Sequence, residues 1–247
     1  MSEEGAPWTA SEDLSYFEEA MSRGWIKPTS QVRSVQMCEK ILTAAYQVFS
    51  KKGYQDTKVS DITTLAGCSV GIFYKRFPDK EHLFYALQYR HYERVHRRID
   101  KLTDVQNSTM ATEKVLRGFV RRTIENMVLN AGFNKAQVEL SLKDERVLEA
   151  RRANDKYAAN KLMDVLVSRG ELPDAAIIRN RLHFAVRAIY ATISNLVLFG
   201  PGPYPVTDKR VVDNLTQVLI GFLHEEQRQL KDRRSKRTPR RKKKLSN

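Results

Sequence analysis

Between Gly67 and Arg76 the chain reads Gly-Cys-Ser-Val-Gly-Ile-Phe-Tyr-Lys-Arg, the residue types of a helix able to enter a nucleic-acid groove. The DNA major groove is about 12 Å wide, so a helix that reads base edges needs a slim leading face. Ser69, Val70 and Gly71 supply one, with a single branched side chain among them. Tyr74 follows on nearly the same face, where its hydroxyl can reach a phosphate. Lys75 is the next exposed donor, suited to a phosphate or a guanine edge. Thr57 and Lys58 stand at the start of the preceding helical piece, where a helix N-terminus itself attracts anions. Lys80 falls in the first turn of the next helix. A cation there opposes the macrodipole by about 0.3–1 kcal/mol. A phosphate would reverse that balance, although Asp79 and Glu81 also offset it.

The elements that must hold these groups are helical. Val59, Ile62 and Leu65 mark a short piece closed by Gly67, and Ser69 to Arg76 forms a second, with Ile72 and Phe73 turned inward. Gly67 can take the positive φ of a tight turn, Cys68 is small enough to pack inward, and Ser69 can cap the second piece. Two short helices joined this way predict a helix-turn-helix unit. Before it, Val35, Cys38, Ile41, Leu42, Ala45, Val48 and Phe49 recur at three- and four-residue intervals, an amphipathic helix stopped by Gly53. After it, Pro78 breaks the chain and Asp79 caps a longer helix with Leu83, Phe84, Leu87, Val95 and Ile99. A short helix from Thr9, with Glu12 at capping-box spacing and Leu14, Phe17 and Met21 on one face, precedes all of these. Beyond the polar run 103–109, helices are predicted near 110–130, 134–143, 145–169, 174–199 and 208–230. No segment alternates with a period of two and no repeat of fixed length occurs. The expected fold class is all-α, with about ten helices.

The length of 247 residues, with 41% hydrophobic and 29% charged, suits a folded chain with a real core. The apolar stretch 182–199 contains His183 and Arg187, which argues against a membrane span. The acidic first 30 residues lack the apolar region of a signal peptide. Two cysteines, Cys38 and Cys68, provide neither a disulfide framework nor a zinc site of their own, so an intracellular, cytoplasmic setting and no metal are expected. The net charge of +14 is concentrated in residues 231–247, a basic tail expected to be disordered and attracted to any polyanion.

Phe49, Gly53, Asp61-Ile62, Gly67, Ser69, Gly71, Tyr74, Phe77 and Lys80-Glu81 fall at fixed offsets that resemble the DNA-binding signature of the TetR family of bacterial transcriptional regulators. The resemblance covers about residues 34–90. It implies an N-terminal three-helix DNA-binding domain and a larger C-terminal helical domain that binds a small ligand and dimerises through its last two long helices. Lys58 stands where the family often has a second Thr, Lys75-Arg76 replaces commoner aromatic or His choices, and Cys68 replaces a frequent Val. The first two departures add positive charge, so DNA binding should be strongly salt-dependent. Expected boundaries are an extension over 1–32, the DNA-binding domain over 33–80 with its helix-turn-helix at about 58–77, the ligand and dimer domain over 81–230, and the tail.

Val211, Leu215, Val218 and Phe222, widened by Val212, Leu219 and Leu223, give the last helix an apolar stripe, consistent with an intersubunit four-helix bundle. His183, Arg187, Tyr190 and Asn195 interrupt an apolar helix and are candidates to line a ligand cavity, with Phe119, Phe133, Tyr157 and Phe184 as aromatic candidates. The chain carries no Gly-rich phosphate loop with Lys, no His-Glu-x-x-His and no Gly-x-Ser-x-Gly, so neither an enzyme nor a cofactor is expected. The function expected is a ligand-inducible repressor, binding a palindromic DNA operator as a homodimer. A general nucleic-acid-associated protein driven by the basic tail is the alternative.

Overall fold

The computed structural model describes residues 15–29, 31–104, 110–200 and 202–237. Ten helices and no strands occur among them: α1 (Ser15–Ser22), α2 (Val32–Lys52), α3 (Val59–Ala66), α4 (Val70–Arg76), α5 (Lys80–Thr103), α6 (Thr112–Leu129), α7 (Ala131–Ser141), α8 (Glu145–Ser168), α9 (Ala176–Leu198) and α10 (Lys209–Arg237). None is long and apolar enough to cross a membrane. Thr9, Glu12 and Leu14 lie outside the described residues.

Two cores organise the chain. The first joins α1 to α4 with the start of α5 and with α7; Ile41, Phe49, Ile62, Phe73, Phe77 and Phe84 are fully buried in it. The second lies among α5, α6, α8, α9 and α10, around Phe119, Val120, Met163, Val186 and Ile193. Helix α5 belongs to both, with Leu83 and Leu87 in the first and Ile99 in the second.

Two boundaries differ from the sequence reading for physical reasons. Gly132 is not a break between helices. The chain turns at Asn130 (φ −109°, ψ 24°), whose side-chain amide donates to the Asn126 carbonyl at 2.7 Å. Gly132 then sits inside α7, pressed against α2, where any Cβ would stand 2.0 Å from the Ser50 carbonyl oxygen. Its role is close approach of two helices. At the other end, α10 continues through 231–237, a segment expected to be disordered tail. No Gly or Pro interrupts the sequence between Gly221 and Pro239. The remaining tail, 238–247, lies outside the described residues.

Candidate DNA-binding interface

The turn between α3 and α4 is built as its residue types require. Gly67 adopts φ 65°, ψ 40° and ends α3, and its N–H and that of Cys68 bond back to the Thr64 and Thr63 carbonyls. Ser69 caps α4, its hydroxyl accepting the Ile72 N–H at 3.3 Å. Phe73 and Phe77, with no exposed surface, anchor the buried side of α4. Cys68 is half-buried against the same core, and burial raises its thiol pKa. Cys38 is buried outright, with its pKa pushed up to about 12.

Anchoring α4 on that side leaves the opposite side bare. Ser69, Val70, Gly71, Tyr74 and Lys75 are all exposed, Tyr74 at 45% and Val70 at 43%. These five form one outward surface of side chains small enough, or polar enough, to meet a groove.

The flanking candidates are placed differently. Lys58 is exposed at the N-cap of α3, where its backbone N–H donates to the Asp61 carboxylate at 2.9 Å. That bond, followed by the Lys52 ammonium 2.9 Å away, holds Asp61 below its ordinary pKa. Thr57 is only 1% exposed, and its hydroxyl donates inward to the Gly53 carbonyl at 2.6 Å. Lys80 turns its ammonium back onto the preceding loop, donating to the carbonyls of Tyr54 at 3.0 Å and Thr57 at 2.8 Å, above the Tyr54 ring. Desolvation there lowers its pKa. The macrodipole conflict expected for Lys80 is therefore met by internal acceptors, and the loop leading into α3 is tied to the start of α5.

One participant has no local sequence signal. Lys27, from the segment after α1, donates its backbone N–H to the Arg76 carbonyl at 2.7 Å and its ammonium to the Tyr74 carbonyl at 2.8 Å. It thus satisfies two carbonyls at the C-terminal end of α4 that the helix itself leaves open. Arg76 is fixed in turn, Nη2 donating to the Ser34 hydroxyl at 2.7 Å.

The ligand candidates do not converge. Phe119 and Tyr190 share a cavity of about 40 Å³ with Arg98, Arg122 and Asn126. Phe133 lies in the other core, its ring 5.4 Å from that of Tyr46. Tyr157 stacks on His96 at 3.7 Å and donates to Asp100 at 2.7 Å. His183 is half-buried, with Nε2 unpartnered, while Arg187 and Asn195 are exposed on the outer side of α9. Helical spacing places His183, Arg187, Tyr190 and Asn195 together on α9, but their faces diverge.

Residues 41–87 match the family model described as bacterial regulatory proteins, tetR family. The chain is 25% identical over 185 residues to the HTH-type transcriptional repressor KstR of Mycolicibacterium smegmatis, covering 74% of this chain and 86% of that protein. Among solved structures, a protein described as a TetR-family transcriptional regulator from Mesorhizobium loti superposes with a TM-score of 0.64 at 19% identity, over 78% of this chain and 98% of its own. The regulator FadR from Bacillus subtilis, solved in complex with stearoyl-CoA, gives 0.57 at 19% identity, over 73% and 96%.

Proposed function

We propose that the chain is a transcriptional regulator of the tetR family, a ligand-inducible repressor acting in the cytoplasm as a homodimer on a palindromic operator. The observation that carries the reading is the bare face of α4, with Ser69, Val70, Gly71, Tyr74 and Lys75 outward and Phe73 and Phe77 locked inward. A helix held that rigidly can present the same few side chains to the same few base pairs. Lys58, exposed at the N-terminus of α3, adds a phosphate contact, whereas Thr57, buried and bonded to the Gly53 carbonyl, and Lys80, bonded to the Tyr54 and Thr57 carbonyls, support the interface from inside instead of touching phosphate.

Dimerisation is supported by α9 and α10. Ile177 (62%) and Phe184 (75%) expose large apolar surface along α9, as do Phe199 (77%) just past its C-terminus and Val218 (47%) on α10. Val211, Leu219 and Leu223 of the same stripe already face the second core. An apolar surface of this kind favours a partner, and a second copy would complete a four-helix bundle and present two α4 helices to two half-sites. For the effector, the cavity beside Phe119 and Tyr190 combines apolar walls with Arg98 and Arg122, chemistry fitting an apolar molecule with an anionic end, as stearoyl-CoA is in FadR. At about 40 Å³ it must widen to admit one.

Selection and sequencing of genomic DNA fragments retained by the protein tests the reading. One shared inverted repeat is expected, lost when Tyr74→Phe and Lys75→Ala are combined. Random fragments, retained equally by that variant and lost on deletion of 238–247, would instead support tail-driven association. Lys80 is left intact in the test because its substitution would also release Tyr54 and Thr57.

A further inference from the structure

Residues 15–27 stand outside the stretch matched by the family model, yet they touch both α4 and α5. Helix α1 seats Tyr16, Phe17 and Ala20 in the first core. The chain then folds back on the helix end, with the N–H groups of Trp25 and Ile26 donating to the Ala20 carbonyl at 2.9 and 3.2 Å. Ile26 is fully buried, and the residues on either side of it reach in two directions. Trp25 lays its ring 6.1 Å from Tyr85 and 5.9 Å from Tyr89, both on α5. The Arg23 guanidinium, paired with Glu19 at 2.6 Å, covers the Trp25 and Tyr89 rings at 5.1 and 5.7 Å. Lys27 holds the Tyr74 and Arg76 carbonyls of α4.

Helix α4 needs such a hold. It has seven residues, too few to be stable by itself. Phe73, its one buried residue, and the bond from Arg76 to Ser34 seat it against the first core and α2. Toward α5 its covalent connection is only Phe77, Pro78 and Asp79. A rod on one short link can swing, and a second attachment removes that freedom. The run from Trp25 to Lys27 supplies it, with one end on α5 and the other on the last turn of α4. The gripped carbonyls lie on either side of Lys75, so the aim of the exposed Tyr74 and Lys75 side chains is set there.

We propose that residues 15–27 form a brace that sets the attitude of α4 relative to α5, with Trp25 as its positioning residue on the α5 side. This role rests on the reading of α4 as the helix that contacts DNA. Attraction to phosphates follows charge and tolerates small displacements. Hydrogen bonds to base edges weaken steeply with distance and angle. Loosening the brace therefore removes sequence preference and leaves general affinity for DNA in place.

The test uses the full chain carrying Trp25→Ala or Trp25→Phe, the second keeping a ring against Tyr85 and Tyr89. Affinity is measured by fluorescence anisotropy, at one salt concentration, for the inverted repeat recovered by selection and for a random duplex of equal length. Trp25→Ala should bind the repeat about tenfold more weakly and the random duplex within about twofold of the wild type, and Trp25→Phe should recover most of the loss. Amide hydrogen exchange without DNA is the second readout. In Trp25→Ala, exchange should quicken about tenfold or more over Tyr74 to Phe77 and stay unchanged in α2. Exchange can be read even if selection yields no repeat, so failure of the DNA-binding reading is distinguishable from failure of the brace. Unchanged affinity for the repeat, equal losses on both duplexes, no recovery with Trp25→Phe, unchanged exchange over Tyr74 to Phe77, or exchange quickened equally in α2 would overturn the proposal.

Discussion

Replacing Gly132 with Ala isolates the contact between the DNA-binding end of the chain and the rest. An added Cβ would lie 2.0 Å from the Ser50 carbonyl oxygen, 2.7 Å from its carbon and 2.8 Å from its Cα. All three neighbours are backbone atoms of α2, so no side chain can swing aside. Ordinary contact requires α7 and α2 to separate by more than about 1 Å, and overpacking of this kind costs about 1–3 kcal/mol or more. Helix propensity acts in the other direction, since Ala is favoured over Gly by about 1 kcal/mol in a helix interior and less in a first turn. The steric cost wins, for a net loss of about 2 kcal/mol. For a chain of this size that lowers the melting temperature by about 4–8 °C, measurable by circular dichroism. Gly118→Ala is the control: its Cβ would stand 3.0 Å from Leu102 Cδ1, the end of a flexible side chain, and should cost much less. If Gly132→Ala melts at or above the wild-type temperature, the close approach of α7 to α2 is not as described.

Three further outcomes are expected. Lys27→Ala removes a charge-assisted bond to the last turn of α4, and should weaken operator affinity about 3–10-fold in fluorescence anisotropy with thermal stability unchanged; unchanged affinity would remove Lys27 from the positioning of α4. Phe184→Arg places a charge on the exposed apolar face of α9 and should convert a sedimenting dimer to a monomer at micromolar concentration; a wild-type monomer, or a variant that still dimerises, would refute that interface. Asp155 has its pKa pushed up from 3.8 to about 6, first by burial, with Arg151 and Arg187 opposing. The folded state therefore holds this proton more tightly than the unfolded state, and stability falls as pH rises from about 4 to 6. Asp155→Asn should stabilise the protein at pH 8 by at most about 3 kcal/mol, with the gain vanishing near pH 4; a gain independent of pH in denaturant titrations would exclude the carboxylate as its cause.

The parts legible in sequence are those whose physics is local. Gly67, Ser69 and Phe73 declare a turn, a cap and a buried face within about two helical turns, and the exposed side of α4 follows from them. Lys27 is another matter, because its ammonium reaches a carbonyl 47 positions away and nothing in its neighbours announces that partner. The same limit separates the ligand candidates. Polar residues on an apolar helix mark departures from a pattern, but whether a departure faces a cavity or solvent depends on the neighbouring helices. Tyr190 faces inward and Arg187, three positions earlier, does not. Gly132 read as punctuation because helix breaking and close packing both select glycine, and only the position of α2 decides between them.

Arg90 and Glu39 raise the question of what buried charge contributes. Arg90, on α5, is 1% exposed, and its Nη2 lies 2.8 Å from Oε2 of Glu39 on α2, whose side chain is 10% exposed. Burial pulls the guanidinium pKa down and Glu39 raises it, so desolvation is the larger effect. Removing either partner takes from the other its opposite charge in the first core and should cost about 3–5 kcal/mol. Replacing both with Met should restore most of that loss, because two apolar chains of similar volume avoid the desolvation cost. Stability alone would then give no reason for the pair. It does, however, fix α2 along α5, and α3 and α4 pack on α2. The double variant should therefore unfold near the wild-type urea concentration yet bind the operator more weakly, since α4 loses a fixed register against the helix that spans both cores. A double variant as unstable as either single one would refute the desolvation argument. A stable one with full operator affinity would refute the positioning role and leave Arg90 and Glu39 as a pair the fold tolerates rather than uses.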